Sequence, residues 1–249
     1  MKSRPPHRRR LAAFTLSEVM ITTTILGFVT AGTLAVFILG MRSMYRDIER
    51  LNTDSILRRL TLHVAKETID STEFYVFPNY TALDGNVDLT NDISALEPDE
   101  PAEDETQLAM GDCLVLVTRV TTDVTSNVRQ FRIYYRTTTS PATQSALRYY
   151  ESPLYGTETT GSSSSLTQLL NGVNLKSAPN YPGSRLLAAI TRGKPRTGGS
   201  GYLPVFSTEA TVPTATNESV SLNIEVMNGT AATRMLSSSS FNYTISPRR

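Results

Sequence analysis

The sequence predicts an α+β protein, with one long N-terminal α-helical spine carrying a mainly antiparallel β-sheet globular head. Three observations predict it. Val19 to Met41 carries no charged residue. Arg42 to Ser71 continues without Pro or Gly, so nothing in the chain breaks a helix there. After Ser71, Ser and Thr become abundant, and short alternating apolar runs replace the helical period. These shifts divide the chain into a leader at 1–13, a helix at 14–71 and a head at 72–249.

Met1 to Ala13 holds Lys2, Arg4, Arg8, Arg9 and Arg10 and no acid, and Pro5–Pro6 discourages helix. A basic cluster ahead of an apolar run is retained on the cytoplasmic side, which sends the rest of the chain across the membrane. A secretory signal peptide has an apolar core of about 7–15 residues and a nearby small-residue cleavage site, and this core is longer. Arg8–Arg10 suggests a twin-arginine signal, but Glu18 inside the apolar segment argues against it. An uncleaved anchor leaves Glu18 without a purpose.

The run from Val19 to Met41 is long enough to cross a bilayer, since about 20 residues rising about 1.5 Å each match the hydrocarbon core. An acid at the edge of such a run is costly in lipid, about 2.5–3.5 kcal/mol, and ordinarily has a partner. Cleavage before Phe14 would place a new α-amine one helical turn ahead of Glu18, on the same face.

Beyond the apolar run, Met41, Met44, Tyr45, Ile48, Leu51, Leu60 and Val64 recur at helical spacing. Arg46, Asp47, Glu49, Arg50, Arg58, Arg59, Lys66 and Glu67 between them form a mixed solvated face. A single helix from Phe14 to Ser71 has about 58 residues and a length of about 87 Å. No globular domain of this size needs one, whereas a filament subunit does.

The stretch A-F-T-L-S-E-V-M-I at Ala13 to Ile21 resembles the N-terminal signal of type IV prepilins and type II secretion pseudopilins. The resemblance implies a pilin-like fold whose N-terminal half is transmembrane. It implies cleavage by prepilin peptidase between Ala13 and Phe14, N-methylation of Phe14, and an assembly role for Glu18 at the fifth mature position. Gly27 sits where many pilin helices carry a glycine. Two positions depart from the pattern: Ala13 replaces the usual Gly, and Ser17 an aliphatic residue. The implied partners are prepilin peptidase, other pilin or pseudopilin subunits and the bacterial inner membrane, with a single pass and the head in the periplasm, and cell-surface exposure after assembly. The large, loop-rich head fits a minor, tip-type or priming subunit, and pilus and secretion system stay undivided. The alternative is a non-polymerising, single-pass anchored envelope protein whose β head binds a ligand or partner.

In the head, the expected strands are Thr72–Phe77, Asp112–Thr122 (apolar at first on both faces), Arg129–Thr137, Ala146–Glu151, Ser219–Met227 and Arg234–Ile245. In Arg129–Thr137, Phe131, Ile133 and Tyr135 share one face and Gln130, Arg132, Tyr134 and Arg136 the other. Leu166, Leu169, Leu170 and Val173 suit a short helix over the sheet, and Leu186–Ile190 is too short to assign. Phe131–Arg136 followed by Ala146–Tyr150 also resembles the hairpin of larger minor pilins.

The chemistry of the chain is sparse. Its net charge is +1, and loss of the basic leader leaves it negative, so no nucleic-acid partner is expected. Cys113 is the one cysteine, which excludes an intrachain disulfide and suits a small core residue. His7 leaves with the leader and His63 lies on the long helix. No catalytic residue is therefore assigned and enzyme activity is not expected. Zinc is excluded on ligand count. Asp84, Asn86, Asp88 and Asp92 place oxygens at alternate positions, as calcium loops do, but Leu89 stands at the sixth position and Ala95 at the twelfth. Calcium is thus the only candidate cofactor, against a plain polar turn.

Overall fold

The computed structural model describes residues 15–83, 87, 106–120, 127–155, 165–175, 180–196, 201–211, 217–228 and 237–245. Helix α1 runs Leu16–Ile69. The strands are β1 Glu73–Phe77, β2 Thr106–Gly111, β3 Cys113–Arg119, β4 Val128–Arg136, β5 Ser145–Glu151, β6 Arg185–Gly193, β7 Phe206–Thr211, β8 Asn217–Asn228 and β9 Ser237–Ile245. A short helix, α2, spans Leu166–Asn171. The chain divides into two compact units, Met1–Ile48 and Glu49–Arg249, so that α1 belongs to both.

In the first unit every described residue from Thr15 to Ile48 is exposed. The helix there is long and apolar enough to cross a membrane, with a window of mean hydropathy 2.0 and no burial. Met41, Met44, Tyr45 and Ile48 belong to this exposed set, although their spacing suggests a core-facing stripe.

The second unit has the α+β architecture expected of the head, and every pairing in its sheet is antiparallel. Strand order is β1-β3-β4-β5-β6-β8-β7-β2, with β9 added to β8. β9 lies along one edge of β8 from Val220 to Asn228. β6 and β7 share the opposite edge, β6 facing Ile224–Val226 and β7 facing Asn217–Leu222. The two ends of the path meet where Gly111 closes β2 and Phe77 closes β1. A Cβ on Gly111 would overlap the Phe77 carbonyl, so only glycine fits, and the Asp112 amide donates to the Pro78 carbonyl at 2.9 Å.

Both faces of the sheet are covered. Thr53, Leu57, Leu60, Thr61, Val64, Ala65 and Thr68 recur at three- and four-residue spacing, which places them on one side of α1. Leu57, Leu60, Val64 and Ala65 pack with Phe74, Leu114, Leu116, Tyr134, Phe206 and Leu222. On the opposite face Cys113, Val115, Val117, Phe131, Ile133 and Tyr135 meet Leu166 and Leu170 of α2. A central strand covered twice reads as a continuous apolar run, which accounts for Cys113–Val117. α2 is six residues long and is held by a capping box. The Gln168 amide donates to Ser165 Oγ at 3.3 Å, and the Ser165 amide to Gln168 Oε1 at 3.2 Å.

The expected hairpin is present, with Tyr134 opposite Tyr149 in β4 and β5. On its second face Tyr134 is fully buried in the cluster that holds α1, and Arg136 is fully buried against Asp112 and the Thr143 and Thr191 carbonyls. In β8, Asn223 and Glu225 are buried as well. β2, β6 and β7 complete the sheet at positions where no strand was expected.

Candidate functional site

The N-terminus of α1 is built around Thr15 and Glu18. A helix start leaves its first amides without intrahelical partners. Here the Thr15 amide donates to Glu18 Oε2 at 2.9 Å and the Glu18 amide to Thr15 Oγ1 at 3.3 Å. Thr15 Oγ1 also donates to Glu18 Oε2 at 3.0 Å. This is a reciprocal capping box, and a carboxylate in the first turn also suits the positive end of the helix dipole. Glu18 is therefore satisfied within its own chain. Ala13 and Phe14, the residues flanking the expected cleavage, lie outside the described residues.

The apolar stretch after Glu18 contains five threonines, and each hydroxyl returns to its own helix. Thr22, Thr23 and Thr24 donate to the carbonyls of Glu18, Val19 and Met20 at 2.8, 2.9 and 2.8 Å. Thr30 donates to Leu26 O, and Thr33 to Val29 O at 2.7 Å. A hydroxyl paired this way needs no water, so these threonines leave the segment compatible with hydrocarbon.

Among the described residues of the head, three polar places matter most, beside the Glu73–Arg119 and Arg192–Glu225 ion pairs. Asp112 and Arg136 form a buried ion pair, with Nη1 to Oδ2 at 2.8 Å and side chains 1% and 0% exposed. Asp112 Oδ1 accepts from the Val205 amide at 2.9 Å, while Arg136 Nη2 reaches the Thr143 and Thr191 carbonyls. Burial pushes the Asp112 carboxyl up and the Arg136 guanidinium down, and their mutual attraction opposes both shifts. With both charges partnered at once, the pair is a clamp between distant segments.

Arg132 forms the second cluster, with Nε 2.8 Å from Glu67 Oε2 of α1 and 3.4 Å from Glu151 Oε1 of β5. It fastens the helix to the sheet by a charge contact beside the apolar one.

The third place is a groove of about 380 Å³, lined by Ile56, Arg59, Leu60 and His63 of α1 and by Tyr149, Arg185, Leu186 and Leu187. His63 packs edge-on against Tyr149, with ring centroids 4.8 Å apart, and against Tyr134 at 5.8 Å. Burial lowers its pKa, against the attraction of Glu67 and Glu151. Arg59 and Arg185 are exposed at the rim, and neither side chain has a partner among the described residues.

No family model, curated protein or solved structure matches the chain.

The chemical content of the head is correspondingly plain. Cys113 is fully buried, and desolvation pushes its thiol far above the ordinary range, which makes it unreactive in the fold. No group of three His, Cys, Asp or Glu side chains suited to a metal occurs among the described residues. Asp84, Asn86, Asp88 and Asp92 lie outside those residues. The clamp, the Arg132 cluster and the groove were all missed from sequence. An arginine inside an apolar strand (Arg136) and a T-x-x-E at a helix start (Thr15–Glu18) were the available signals.

Proposed function

We propose that the chain is a structural subunit, a minor pilin or pseudopilin, of a type IV pilus, type II secretion pseudopilus or related filament. In this reading prepilin peptidase cuts between Ala13 and Phe14, Phe14 is N-methylated, and the first part of α1 holds the subunit in the bacterial inner membrane with its head in the periplasm. One observation carries the proposal. A single unbroken helix is bare and apolar up to Met41, buries its later turns under an antiparallel head, and has the sequence F-T-L-S-E running into its first turn. A bare apolar helix suits lipid first and neighbouring subunits later.

The test is the mature N-terminus. Expressed with a prepilin peptidase, the protein should begin at methylated Phe14 by intact mass and N-terminal sequencing. A chain that still starts at Met1, or that starts well beyond Phe14, ends the proposal.

The capping box supports a second reading, a single-pass anchored envelope protein that does not polymerise, because it gives Glu18 a purpose that needs no neighbour. Glu18→Gln separates the two. It keeps an acceptor for the Thr15 amide but removes the charge. A filament subunit that pairs Glu18 with a neighbour's terminal amine loses incorporation, while an anchor is unchanged in membrane retention and head stability.

A further inference from the structure

We propose that the groove on the head receives the helix segment Met41–Ile48 of a second copy of this chain. The inference rests on the filament reading and deepens it by making the neighbour another copy.

The occupant follows from three observations. Met41, Met44, Tyr45 and Ile48 stand at i, i+3, i+4 and i+7, the spacing by which one side of a helix fills an apolar groove, and all four are exposed. Arg42, Arg46 and Asp47 sit among them, so this segment lies past the uncharged run and its apolar side faces water unless something covers it. Second, the groove offers apolar surface from Ile56, Leu60 and Leu187 together with the faces of His63 and Tyr149. Its size suits a few side chains.

The third observation is charge. At 100° per residue, Asp47 flanks the stripe on one side and Glu49 with Arg42 on the other, while Arg46 and Arg50 lie on the opposite side of the helix. The surface that would enter the groove is thus apolar, with an acidic margin on the Asp47 side. The groove's rim carries Arg59 and Arg185, exposed and without partners among the described residues. Opposite charges at the margins fix register and suppress wrong partners more than they add affinity. Because groove and stripe are different patches, the contact is head-to-tail.

The test uses the full-length chain in membranes. Two differently tagged forms are co-expressed, one carrying Ile48→Cys and the other Leu187→Cys, and the mixed-tag disulfide product is measured after mild oxidation. Native Cys113 remains, since it is fully buried. The expected result is a mixed product whose yield falls at least tenfold with Arg185→Glu and recovers when the other copy carries Asp47→Arg. The changes are at exposed side chains, and an unchanged melting temperature of the head checks that the fold persists. No mixed product, or one indifferent to both charge changes, overturns the proposal, as does a groove filled instead by a small anion or an unrelated acidic protein. The N-terminus of the same samples is read in parallel. Phe14 termini without cross-linking overturn the docking alone; cross-linking without Phe14 termini overturns the filament reading alone.

Discussion

The two parts of α1 share one backbone and almost nothing else. From Thr15 to Ile48 every side chain is exposed, and the hydroxyls bond back to the helix itself. From Thr53 to Thr68 one side of the helix is buried in the head core and Glu67 is tied to Arg132. Apolar content does not separate them, since the exposed part is the more apolar. The difference is whether the chain supplies its own cover. A helix whose apolar residues run all round has no single side for a sheet to take and is built for an apolar surrounding; one with a confined stripe is built for a partner within the fold.

The largest expected effect tests that contrast directly. Leu60→Ala removes a side chain that is 3% exposed and should cost the head about 2–5 kcal/mol, measured by denaturant unfolding of the detergent-solubilised protein. Leu26→Ala, the matching change in the exposed part, should leave that midpoint unmoved. An equal loss from both would erase the comparison.

Next comes the converse. Val29→Arg puts a charge in the middle of the uncharged run and opposes membrane insertion by about 2.5–3.5 kcal/mol. Fractionation should show more of the protein outside the membrane, while the head's melting temperature stays the same.

Glu67→Ala should cost about 1.5–3 kcal/mol, because it strips Arg132 of its nearer carboxylate in a largely buried place. Asp47→Ala, on the exposed part, should be silent in the same unfolding measurement.

The smallest effect is a pH dependence carried by His63. Burial lowers its native pKa below the ordinary value of about 6.5, so the unfolded chain binds the proton more readily. Its contribution is complete above about pH 7 and is lost as pH falls through the unfolded and then the native pKa. Melting temperatures of the parent and of His63→Gln should converge towards acid, the parent losing more between pH 7 and pH 5.

Much of this architecture was legible. Period and charge located α1, a run apolar on both faces located β3, alternation located β4 and β8, and β5 followed as the return strand of the β4 hairpin. β2 (TQLAMG) and β7 (FSTEAT) were not legible: they pair with each other and carry threonine and glutamate through a short run, so no apolar period marks them. β6 was obscured by the register shifts in its pairing with β5. Alternation divided the faces of β4 correctly but could not show that Tyr134 and Arg136 are buried, since that depends on the helix over the sheet and on the Asp112 pair. At the candidate site, Glu18 reads in sequence as an acid in search of a neighbour. Thr-Leu-Ser-Glu is also the T-x-x-E spacing of a capping box, a signal that stands beside the first and does not cancel it.

The order of the strands also sets a timetable for the ribosome. Asp112 receives the Val205 amide across 93 residues, and among the described residues β2 finds its sheet partner in β7, after β3, β4, β5 and β6 have all been made. Contacts this remote close late, since the intervening chain must first be gathered. The early strands therefore emerge with their apolar faces uncovered and the Arg136 guanidinium still in water. During that interval the nascent head is open to chaperones and proteases, and it becomes a sealed object only when the last third of the protein arrives.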